Sequence, residues 1–179
     1  MTIPTTLTIY VPDDSTQTAN ALRASLRAAL VASCVGTRAD FPPGDDGRAF
    51  SDAARKFYHQ HPGLLDVVTF GGTVVFRSFT GRGEHPFRRV IPEGIDYVQH
   101  NDPSGEIDAE IEARRGAEVS SWASNTEGAV LVAAVEVLRA LAACNGGEEE
   151  RLRGLLRKLS EIPPPSYSVG ERRYEEDWE

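Results

Sequence analysis

The hydrophobic and polar positions of the chain alternate in two registers, and these predict most of its elements. Leu7, Ile9 and Val11 alternate with Thr8 and Tyr10, which predicts a first strand with one aliphatic face, ended by Pro12. Asp13, Asp14, Ser15 and Thr16 then offer N-caps for a helix. Its Ala19, Leu22, Leu26, Ala29 and Leu30 make one stripe, with Arg23 and Arg27 toward water, and Gly36 closes it. A second helix over 48–60 carries Phe50, Ala53, Ala54 and Phe57 at helical spacing, and Pro62-Gly63 stops it.

The densest β signal follows. From Leu64 to Phe79, two runs rich in β-branched and aromatic residues flank Gly71-Gly72, a pair suited to a two-residue turn because both positions accept positive φ. The expectation is a hairpin in which Asp66 faces Arg77 as an ion pair. Val68, Phe70 and Val75 would share one face, and Val67, Val74 and Phe76 the other. With both faces apolar, such a hairpin is covered on both sides, or covered on one and offered to a partner on the other. Ile95 to Gln99 reads as a further strand, and Arg88 to Ile91 as a short one between Pro86 and Pro92.

From Asn101 the pattern turns helical. Ile107 and Ile111 among acidic neighbours predict a helix capped near Asp102 or Ser104 and broken at Gly116. Ser124 to Glu127 is a capping box before an almost wholly apolar helix over 126–144, and 148–161 is a last amphipathic helix. Pro163 to Pro165 end it, and the tail beyond shows no helical or strand period. The expected fold is a single α+β domain over 1–162, with an antiparallel-dominated sheet of about four strands. A helix follows strand 1 and a C-terminal helical group packs on the sheet. Residues 163–179 form a Pro-rich spacer and an acidic, aromatic tail.

Composition narrows the classes. A chain of 179 residues, 40% hydrophobic, suits one domain with a sizeable core. Net charge −8 argues against a nucleic-acid partner. Lys56 and Lys158 are the only lysines against many arginines, which codon usage in a GC-rich genome explains more simply than selection for anion contacts. Cys34 and Cys144 each end an apolar helical run and read as buried reduced thiols. The opening residues show no secretory signal, and the longest apolar run, interrupted by Glu136 and Arg139, is too short for a bilayer. A soluble cytoplasmic protein without a membrane partner is expected.

Chemistry has few handles. No P-loop, dinucleotide fingerprint, HExxH, GxSxG or paired CxxC occurs, so neither a metal nor a cofactor is expected. His59, His61, His85 and His100 all fall between the second helix and the end of the third strand, a weak metal hint. Asp13 and Asp14 end a strand where acids can hold a metal or orient a substrate, but helix capping accounts for them.

Arg77, Arg82, Arg88 and Arg89 stand against Glu84 alone, a local charge of +3. With the Gly81-Arg82-Gly83 turn, whose backbone amides can approach a ligand, they make a candidate anion site beside His85 and His100 as candidate acid/base groups. In the tail, Tyr174 and Trp178 are candidate partner-binding anchors, with Glu175, Glu176 and Asp177 facing a basic surface. That surface belongs to another protein, to a second copy, or to the Arg77 to Arg89 loop of the same chain. The leading functional expectation is a non-catalytic protein-binding or regulatory module. The alternative is a small enzyme acting on an anionic or phosphorylated substrate at the Gly81 to Arg89 loop, with a histidine acid/base.

Overall fold

The computed structural model describes residues 3–42, 44, 47–80, 84–102, 109–124, 150 and 172–178. Thr16 caps the first helix as its sequence promises: its hydroxyl accepts from the Ala19 amide at 3.2 Å while Asp14 accepts from the Thr16 amide at 2.9 Å. The Thr16 hydroxyl and then the Thr16 amide, both donating to Asp14, hold its carboxyl below the ordinary range, so the acidic turn is a capping device. In chain order the elements are β1 (Ile3–Val11), α1 (Gln17–Cys34), α2 (Arg48–Gln60), α3 (Pro62–Phe70), β2 (Gly72–Thr80), β3 (Asp96–Asn101), β4 (Ala109–Arg115), β5 (Glu118–Ser124) and β6 (Arg173–Trp178). Short 3-10 turns occupy Arg38–Asp40 and Pro86–Val90.

The fold is α+β, but its sheet corrects the expectation of about four strands. Six strands run in the order β5-β4-β3-β1-β2-β6, and the sheet is mixed because β6 joins β2 in parallel while the other neighbours are antiparallel. A C-terminal strand, not a C-terminal helical group, completes it. The helix expected over 126–144 lies outside the described residues, as does that over 148–161 apart from Glu150, which is helical.

Four local readings change with it. No hairpin turns at Gly71-Gly72. Leu64 to Phe70 belong to α3, whose Leu64, Val67 and Val68 are buried at i, i+3 and i+4, and β2 pairs with β1 instead. Asp66 therefore does not meet Arg77, which lies 3.2 Å from Glu175 and 3.7 Å from Asp177. The helix expected around Ile111 is strand β4, in which Ala109, Ile111 and Ala113 are buried with strict alternation. Finally, Arg88 to Ile91 falls in a 3-10 turn and its exit, and Arg23 is buried, donating to the Pro12 carbonyl at 2.6 Å and the Asp14 carbonyl at 2.9 Å.

The pleat sends alternate residues to two faces. Leu7, Ile9 and Val11 of β1, Val74 and Phe76 of β2 and Tyr174 of β6 join Leu26, Leu30, Leu64 and Phe87 in the main core. The opposite face holds a smaller cluster of Tyr10, Val98, Ile111 and Ala113, against which Trp122 packs.

The two glycines serve a crossing instead of a turn. At Gly71, with φ 88°, an added Cβ would stand 2.3 Å from the Asp13 Cα; at Gly72, with φ 135°, it would stand 2.5 Å from the Arg172 carbonyl oxygen. Both close neighbours are backbone, which cannot rotate away. Gly71→Ala is therefore expected to cost about 2 to 5 kcal/mol in urea melts, from left-handed backbone strain plus overpacking. Gly116→Ala, with φ 59° and open space around it, serves as the comparison at about 1 to 2 kcal/mol. Equal losses at the two sites would show that the crossing is not tight.

Candidate binding cleft

The candidate anion loop is wired to itself. Glu84 accepts from Arg88 at 2.9 Å and from Arg89 at 2.7 Å, and the Arg89 hydrogen bond holds the Glu84 carboxyl below its usual range. Arg88 Nε lies 2.7 Å from Glu112 and 3.2 Å from the Tyr97 hydroxyl, which itself donates to Glu112 at 2.6 Å. Both guanidinium forks thus have carboxylates of their own chain. Gly81, Arg82 and Gly83 lie outside the described residues.

The two candidate histidines lie on opposite faces of the sheet. His85 is fully buried on the helix side, stacked on Phe76 at 5.8 Å between ring centroids, and its backbone amide donates to Gln99 at 2.9 Å. His100, whose β1 partner is Thr6, faces the other way, with Nδ1 3.4 Å from Asp102 and Nε2 3.2 Å from the Ser124 hydroxyl. His85 Nδ1 accepts from the Phe87 amide at 3.2 Å, which fixes the Nε2–H tautomer, and that Nε2 has no hydrogen-bond partner among the described residues. Burial pushes the ring down to about pKa 4, so it stays neutral at neutral pH.

Tyr174 and Trp178 are brought together with the body of the fold. Both project from β6 into the helix side, where Trp178 meets Phe87 at 4.9 Å and Phe76 at 6.3 Å between centroids. The Tyr174 hydroxyl donates to Glu176 and lies 2.7 Å from His61 Nδ1 at the α2/α3 junction. Burial first, then the neighbouring carboxylate, keeps that phenol protonated well above its ordinary range. Tyr174 and His61 thus clasp β6 to the helices. His59, by contrast, is exposed.

Periodicity alone does not reveal a concavity of about 630 Å³ formed by α1, α2 and the start of α3. Its α1 wall is Ala24, Arg27, Ala28 and Val31, and its α2 wall is Phe50, Ser51, Ala54, Arg55 and Tyr58. Pro62 and Leu65 close one end beside His59. Each wall follows the i, i+3, i+4 and i+7 or i+8 spacing of one helix face, so both helices present a ridge that no third helix of the described residues occupies. The signal in the sequence was Ala24 and Ala28 flanking Arg27 on the face of α1 assigned to water.

The charge of the lining is one-sided. Arg27 and Arg55 carry it, and among the described residues no Asp or Glu lines the cleft, in a protein of net charge −8. The Arg27 guanidinium lies 5.1 Å above the Tyr58 ring, and it has no carboxylate partner among the described residues. The Tyr58 hydroxyl donates to the Arg27 carbonyl at 3.2 Å, and burial pushes that phenol up to about pKa 12. Arg55 meets Asp52 at 3.3 Å on the exposed surface. Cys34 offers no nucleophile, since burial pushes its thiol up to about pKa 11. Among the described residues no group of three His, Cys, Asp or Glu side chains could hold a metal ion, and no helix is long and apolar enough to cross a membrane.

Compared with protein-family models, with curated proteins and with solved structures, the chain matches none.

The buried His85 makes stability depend on acid. Below about pH 6.5 the unfolded chain takes up a proton on this ring that the folded chain refuses until about pH 4, so the folded state loses up to about 3 kcal/mol across that interval. Urea melts at pH 7.5 and pH 4.5 should differ less in His85→Gln, which keeps an acceptor for the Phe87 amide and cannot titrate. An unchanged difference would place the acid sensitivity elsewhere.

Proposed function

We propose that this protein is a non-catalytic binding or regulatory module whose partner is another protein, and that its working surface is the cleft between α1, α2 and α3. The observation that carries this reading is the pairing of an apolar floor with a cationic rim in a strongly acidic chain. Apolar contact supplies area, and the rim selects sign and orientation. The side chains around the cleft support binding more than catalysis. Its phenol and nearby thiol are held protonated at neutral pH, and its arginines have no acid/base partner within it. We place the module in the cytoplasm, where Cys34 remains a free thiol.

Ala28→Trp tests the reading, because Ala28 is exposed on the cleft wall and a large ring there fills the cleft without entering the core. The tagged protein should retain a stoichiometric partner of unchanged mass from its native extract. The Ala28→Trp variant, with the same thermal melt, should lose it. Retention of the same partner by both would remove the cleft from the interface.

A further inference from the structure

We infer that the cleft takes an acidic amphipathic helix of the partner protein, an inference that rests on the cleft being the working surface. Its two walls run along the axes of α1 and α2 from Ala24 to Val31 and from Phe50 to Tyr58, roughly 10 to 12 Å at the helical rise, or about two turns of a third helix. The side chains at its mouth, Ala24, Ala28, Ser51 and Pro62, are exposed, so the cleft is an open trough and not an enclosed chamber.

An open trough between two helix ridges is the surface into which a third helix lays its own ridge. Val31, Tyr58 and Leu65 form its apolar floor, where anchors at i, i+3 or i+4 and i+7 of the incoming helix would bury. Charge then fixes the partner's sign. Arg27 stands on the α1 wall and Arg55 on the α2 wall, and no acidic side chain among the described residues lines the trough. A helix with glutamates flanking its apolar stripe would meet a guanidinium on either side, whereas a basic helix would bring like charges together.

The test uses the full-length protein and fluorescein-labelled peptides of about fifteen residues, long enough to span the trough with a turn to spare at each end. One carries leucines at i, i+3, i+4 and i+7 flanked by glutamates, a second replaces the glutamates by lysines, and a third scrambles the first. Fluorescence anisotropy should show the glutamate helix binding at least tenfold tighter than either comparator, and more weakly as salt screens the rim. Arg27→Glu with Arg55→Glu should reverse the preference toward the lysine helix, and Ala28→Trp should abolish binding at an unchanged melt.

Equal affinity for the glutamate and lysine helices, or failure of the charge reversal to invert the order, overturns the inference. Saturable binding of decanoate in a trough that ignores all three peptides also overturns it, in favour of a small amphiphile. If the peptides fail while partner capture still depends on Ala28, the chemistry assigned to the partner falls and the binding function stands. If both fail, the cleft is not the working surface.

Discussion

Three stretches of backbone pass one another at Gly71 and Gly72, and the arrangement of the sheet depends on that crossing. The turn out of β1 at Pro12-Asp13 lies against Gly71, and the entry to β6 at Arg172 lies against Gly72. The Thr73 amide donates to the Arg172 carbonyl at 3.1 Å, so the approach is also bonded. Because no side chain intervenes, α3 can end and β2 begin within one residue. The same contact sets the register in which Val74 meets both Ile9 and Tyr174. Buried Arg23 braces the first of these stretches through the Pro12 and Asp14 carbonyls.

The charged side chains divide into those consumed by the fold and those left over. Arg114 stacks on Tyr97 and donates to the carbonyls of Ile91, Pro92 and Ile95, closing the loop before β3. Arg88 and Arg89 are held by Glu84, and Arg77 lies between two acids of β6. The structural work of these arginines explains why a basic run in the sequence need not become an anion site. The cleft guanidinium of Arg27 makes no such ion pair among the described residues, which is why charge points to the helical layer.

Elements set by one helix face were legible. Thr16 as cap, the second helix over 48–60 and the strand near Ile95 all appear in the structure close to their expected positions. Misreadings came where local preference and tertiary context disagree. Gly-Gly between β-branched runs satisfies a turn and a close crossing equally well, and only the three-dimensional neighbours distinguish them. Strand β4 is built from Ala, Glu and Arg, residues of helical preference, yet its pairing with β3 and β5 overrides them, and Gly116 turns the chain where a helix break was expected. In β6, Glu176 faces inward between Tyr174 and Trp178, held by its bond to the tyrosine, so its alternation does not read as apolar. The cleft needed two helices from different segments to come side by side. Their spacing was readable, but their juxtaposition was not.

The parallel pairing of β2 with β6 joins Val74 to Tyr174, 100 positions further along the chain. Closing a loop of that length comes late in folding, since its entropy must be spent before its contacts are gained. Until β6 arrives, Phe76 and Phe87 lack the cover of Trp178 and Tyr174, and the β2 edge offers unpaired backbone. The aromatic seam that completes the native core is thus the surface through which incompletely folded chains would stick to one another.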